Sequence, residues 1–144
     1  MLKRAGRASI VTIIATVCVL ACVGVVMFSN SDQGPETTVN RFMSALAEVD
    51  AKKLAKLSFI DGADEGDIEK KWTECLDNTK YFQFRWAFDG TESPSAETVT
   101  ARIKMQQAGE SEANLNRIPL VKVKDEWKVD VGAINRSFYP SLPR

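Results

Sequence analysis

Apolar and polar positions follow three successive rhythms along this chain. From Ala8 to Phe28 there is no alternation: 21 consecutive residues carry no charge, and their only polar side chains are Ser9, Thr12 and Thr16. Coiled as a helix this run spans about 31 Å, matching a hydrocarbon core of about 30 Å. A helix is required there because lipid offers the backbone no hydrogen-bonding partner. Lys3, Arg4 and Arg7 precede the run, so the positive-inside rule keeps residues 1–7 cytoplasmic and places the chain from Ser29 onward outside. The expectation is a single-pass signal-anchor protein of the cell membrane with an extracytoplasmic C-terminal domain.

The run admits two other readings. A cleavable signal peptide has a shorter apolar stretch and a small-residue cleavage site; this run is longer and lacks a clear A-x-A. Val19-Leu20-Ala21-Cys22 resembles the bacterial lipobox, in which the cysteine, here Cys22, becomes the lipidated first residue of the mature chain. Leu20 is an unusual residue for that motif, and Val23 to Phe28 stays apolar where mature lipoproteins turn polar. The length favours a retained anchor, and both readings hold the rest of the chain at a membrane.

Ser29 to Gly34 reads as a polar linker. The rhythm then changes to 3.6. After Pro35, suited to a helix's first turn, Val39, Phe42, Met43 and Leu46 draw one apolar stripe. Asp50 interrupts it, and Ala51 to Ser58 predicts a second short helix with Leu54 and Leu57 inward. Gly62 to Gly66 is a loop, and Asp64 or Asp67 can cap a third helix on which Ile68, Trp72, Cys75 and Leu76 share a face.

After Lys80 the rhythm becomes 2. Phe82, Phe84, Trp86 and Phe88 alternate with Gln83, Arg85 and Ala87, predicting a strand that Asp89 to Ser95 ends. Val99, Ala101, Ile103 and Met105 predict a second strand, and the residues from Gln107 to Asn114 a polar loop. Arg117 to Lys124 predicts a third strand, joined through a tight Asp125-Glu126 connection to a fourth with Trp127, Val129 and Val131 inward. Ile118 and Leu120 have one parity, Val121 and Val123 the other. That irregularity, with Pro119, predicts a bulge or an edge position. Helices first and four antiparallel strands afterwards imply an α+β domain with helices on one face of the sheet.

Charge and composition narrow the chemistry. Removing the three N-terminal cations leaves 16 basic against 19 acidic side chains, about −3 beyond the apolar run. That balance lacks the basic footprint of nucleic-acid binding, so no nucleic-acid partner is expected. The chain has no histidine, the commonest general base and metal ligand near neutral pH. Of its cysteines Cys18, Cys22 and Cys75, only the last lies beyond the apolar run, so no disulfide framework or zinc cluster is expected. Asp61, Asp64, Glu65, Asp67 and Glu69 suggest calcium at first sight. With Gly66 at the glycine of an EF-hand loop, however, Ala63 and Trp72 fall where ligands are needed. No nucleophile or phosphate-loop motif occurs. The expectation is no catalytic residue, no metal, no cofactor and no enzymatic activity.

The segment PETTVNRFMSALAEVDAKKLAKL, of the form P-x-x-x-V-x-x-F-x-x-A-L, resembles the opening of nuclear transport factor 2-like domains. LVKVKDEWKVDV resembles their last hairpin. The likeness runs from Pro35 to Ile134, in the manner of small bacterial membrane-anchored proteins or lipoproteins. It implies a cystatin-like α+β cone, a curved four-stranded sheet around a long helix, with Val39, Phe42 and Leu46 as helix core and Trp127 and Val129 as sheet core. Some members of that superfamily are enzymes. Others are assembly subunits, including periplasmic domains of type IV secretion proteins, which share the single anchor. No catalytic residue of the enzymes has a counterpart here.

Two features suggest contacts. Phe82, Phe84, Trp86 and Phe88 either line a pocket for an apolar small ligand or pack against the helices. The tail 135–144 carries Phe138 and Tyr139 beyond the last strand, either as a segment exposed to a protein partner or folded back on the domain. It also holds the glycosylation-type triplet Asn135-Arg136-Ser137. The leading expectation is an accessory or assembly domain acting through protein contacts; the alternative is a small-molecule or lipid carrier.

Overall fold

A computed structural model of the chain describes residues 34–144. The expected anchor at 8–28, Cys22 and the expected linker up to residue 33 lie outside the described residues. Among those described, no helix is long and apolar enough to cross a membrane.

The helices form where the apolar stripes place them. Helix α1 is Pro35–Glu48, and its stripe of Val39, Phe42, Met43 and Leu46 is fully buried. The Asp50 side chain accepts from the Lys53 N–H at 3.0 Å and caps α2, Ala51–Leu57. Asp64 accepts from the Asp67 N–H at 2.8 Å and caps α3, Glu65–Thr79, which buries Ile68, Trp72, Cys75 and Leu76. The Trp72 indole meets Phe42 edge-on at 5.7 Å and donates to the Ser58 hydroxyl at 3.0 Å. Ser58 in turn donates to the Leu54 carbonyl. Both buried polar atoms are thereby satisfied.

The sheet differs from the expected one. It has five strands in the order β1-β5-β4-β3-β2, not four. They are β1 (Ser58–Phe59), β2 (Phe84–Glu92), β3 (Thr98–Gln107), β4 (Asn114–Val123) and β5 (Glu126–Asp130). β1 pairs parallel to β5, so the sheet is mixed rather than antiparallel. Two residues are too few to show a period of 2, and they directly follow a helix, so the pattern hides this strand. The chain ends the sheet in a 3-10 turn, Val131–Ala133, which takes Val131 out of the fourth predicted strand.

Boundaries also move. β2 runs through the expected break to Glu92, because a bulge between Phe88 and Gly90 absorbs the turn-prone residues. β4 begins at Asn114, and both Lys124 (φ 50°) and Asp125 (φ 65°) take the left-handed geometry of a two-residue hairpin, one position before the expected turn. Of the two alternatives for β4, a bulge is not found, since its pairing with β3 runs without a register shift. The edge reading of β4 holds for part of its length. β5 pairs only with Leu120 to Val123, so Asn114 to Pro119 pairs with β3 alone, and Pro119 sits just past the last β4–β5 pair.

All three helices lie against the face carrying Ala101, Ile103, Met105, Ile118, Leu120 and Val129, and the core is one cluster. The tail joins it. Phe138 is 1% exposed and Tyr139 2%, and Leu142 is buried with them. The reading of an exposed partner segment gives way to a tail folded into the domain. The reason is packing: α3 and the start of β2 leave a gap that Tyr139 fills, edge-on to Phe82 at 4.9 Å and to Phe84 at 6.2 Å.

Candidate ligand groove

The aromatic row lies on the helix-facing side of β2, where Trp86 and Phe88 stand opposite the buried Met105 and Ile103 of β3. β2 is the outermost strand, so one flank of the row has no neighbouring strand. Phe82, Phe84, Trp86 and Phe88 are consequently half-buried, packed against the core without being enclosed by it. Successive rings lie 5.9 Å (Phe82–Phe84) and 6.0 Å (Phe84–Trp86) apart.

A groove of about 640 Å³ opens at the head of this row. Its walls are the end of α1 (Ala47, Val49), Lys80 after α3, Phe82 to Arg85, and the β3–β4 connection from Gln106 to Glu110. Its volume falls within the roughly 300–1,000 Å³ typical of small-molecule sites. Of the four aromatic candidates, Phe82 and Phe84 line it; Trp86 and Phe88 are not part of its wall.

The polar side of the groove comes from residues that the pattern did not single out. The Glu110 carboxylate accepts from the Gln107 N–H at 3.1 Å and the Asn114 amide at 3.3 Å, and Gln106 donates to the Glu110 carbonyl at 2.8 Å. Lys80 stands 5.6 Å over the exposed Tyr81 ring. Arg85 is exposed on the polar parity of β2. Strand alternation marks Arg85 only as outward-facing, and nothing local shows that its end of β2 meets the end of α1.

Val49 has no sequence signal at all. It terminates α1 at φ 60°, with its own N–H directed to Leu46 and that of Asp50 to Ala45, an arrangement that usually takes glycine. A β-branched residue is strained there. It remains 46% exposed at the groove's rim.

Among the described residues, the titratable groups with shifted pKa lie away from this groove. The Cys75 thiol is pushed up to about 11 by burial, and burial also raises Tyr139, whose hydroxyl lies 2.9 Å from that of Thr79. Both belong to the contact between α3 and the tail. Asp89 is lowered first by its hydrogen bond from Lys104, and Asp50 by the backbone N–H of Lys53. Neither carboxyl lines the groove. Among the described residues no group of three acidic, histidine or cysteine side chains is placed to hold a metal, and Asp64 serves as a helix cap. A second groove, about 600 Å³, runs between α1 and α2 past Asn40, Ser44 and Lys56 and contains no aromatic residue.

Helices packed on one face of a curved mixed sheet give the domain the α+β cone fold that the nuclear transport factor 2-like resemblance implies. No protein-family model matches the sequence, and no curated protein matches it. Solved structures do. A candidate calcium/calmodulin-dependent protein kinase type II association domain from Thiobacillus denitrificans is similar over 66% of this chain and 88% of its own, with a TM-score of 0.51 and 12% identity. An NTF-2-like protein of unknown function from Silicibacter pomeroyi covers 71% of this chain and 92% of its own, with a TM-score of 0.46 and 11% identity. A ketosteroid isomerase-like protein from Erwinia carotovora atroseptica covers 65% and 86%, with a TM-score of 0.43 and 10% identity. Identities this low speak for the fold alone. A fold does not itself assign a chemistry.

Proposed function

We propose that this chain is a membrane-held, extracytoplasmic domain that binds a small apolar molecule without transforming it. The observation that carries the reading is the groove itself: aromatic and aliphatic side chains, half-exposed in a domain that could have buried them, around a volume suited to a ligand. Its walls bring no pair of carboxyls with opposed pKa shifts and no activated nucleophile, which supports binding over catalysis. Titrating the full chain in lipid nanodiscs with an environment-sensitive apolar dye should give saturable binding that Phe84→Ser weakens at least tenfold. Dye binding that ignores this substitution would sink the reading.

The second reading keeps the domain as an accessory subunit acting through protein contacts. It is favoured by the nine-residue outermost strand β2, which pairs on one side only among the described residues. Cross-linking in intact membranes separates the two: a stoichiometric protein partner at β2 supports the second, a co-purified small molecule the first. Mass spectrometry of the mature chain decides between a retained anchor and lipid on Cys22.

A further inference from the structure

The groove's charges suggest what kind of molecule enters it. Its wall includes two cations, Lys80 and Arg85, and one carboxylate, Glu110. The carboxylate is committed to the Gln107 N–H and the Asn114 amide. Among the described residues neither cation forms an ion pair. The groove thus presents two cations outside any ion pair, while its own acid is engaged by neighbouring donors.

The same groove is also lined by the apolar Phe82, Phe84 and Val49. Val49 keeps an aliphatic side chain at the rim where its backbone geometry calls for glycine. Such strain persists when the surrounding structure imposes it, and it concentrates at ligand clamps. Resting on the binding role proposed above, we infer that the groove takes an amphipathic anion. Its apolar body lies on Phe82, Phe84 and Val49, and its single carboxylate- or phosphate-type head is held by Lys80 and Arg85. A fatty carboxylate has this chemistry. An Arg and a Lys together suit it, because the guanidinium forks onto a carboxylate or phosphate while the ammonium adds a point charge.

The test uses the full chain in nanodiscs of zwitterionic lipid, with octanoate, octanol and octylammonium as probes. Saturation-transfer NMR is the readout, corrected with empty discs. Octanoate should bind at least tenfold more tightly than either other probe. Lys80→Glu together with Arg85→Glu, both at exposed positions, should abolish that preference while leaving the circular dichroism spectrum unchanged. Equal binding of octanoate and octanol would overturn the anionic head and leave the apolar groove standing. Binding of none of the three would overturn both. A preference for octanoate that survives the double substitution would place the anion elsewhere and reject the assignment of these two cations.

Discussion

At Gly90 the backbone takes φ +127°, and a Cβ there would stand 2.8 Å from the Arg102 guanidinium. That guanidinium donates to the Asp89 carbonyl at 3.1 Å, while Nε lies 3.4 Å from the Asp89 carboxylate and Nη1 3.3 Å from Glu92. The β2 bulge is therefore held by a cation packed over a residue with no side chain. Gly90→Ala should lower stability by about 1–3 kcal/mol through strain and collision; urea melts superimposable on those of the parent would contradict this. Asp89 adds a pH dependence. Its folded pKa is depressed below the ordinary 3.8, so its contribution is complete above the unfolded value and is lost as pH falls through the folded one, below roughly pH 4. Asp89→Asn should flatten the acid limb of melting temperature against pH. An acid limb identical in both proteins would show that the ion pairs with Arg102 and Lys104 are inert. At this scale the sequence was legible where one side chain decides, as at Asp64, one of the two caps it offered for the third helix. It was silent on Val49 and Arg85, whose roles depend on neighbours distant along the chain.

Among the elements, the tail changes meaning most. Phe138 and Tyr139 read locally either as an exposed apolar segment or as a tail folded back, and they are as buried as the helix stripes. The Tyr139 hydroxyl pairs with Thr79, the Cys75 thiol donates weakly to the Pro140 carbonyl, and the Arg144 guanidinium donates to the Gly132 carbonyl at 2.6 Å. Phe138→Ala should cost about 3–5 kcal/mol, as emptying a large core site does. Deleting Ser137 to Arg144 should abolish the cooperative thermal transition. A truncated protein that melts like the parent would return the tail to the role of a free segment. The long elements were legible because each carries several turns or alternations of one period. β1 was not, since its two residues are recruited by β5 rather than by any pattern of their own.

For the molecule as a whole, the proposed arrangement predicts where the domain resides. Alkaline phosphatase fused after Arg144 should be active in a bacterial host, and green fluorescent protein fused there should be dark. The reverse pair of results would put the domain in the cytosol and end the membrane-held reading. The sequence by itself determined which faces of α1 and α3 turn inward, where the helices start, and that helices precede strands. Those properties depend on residues a few positions apart, within reach of one helical turn or one pleat. Only the tertiary structure decided the fifth strand, the burial of the tail and the groove. Each of these joins segments tens of residues apart, and which segments meet is set by how the whole core fills rather than by any local period.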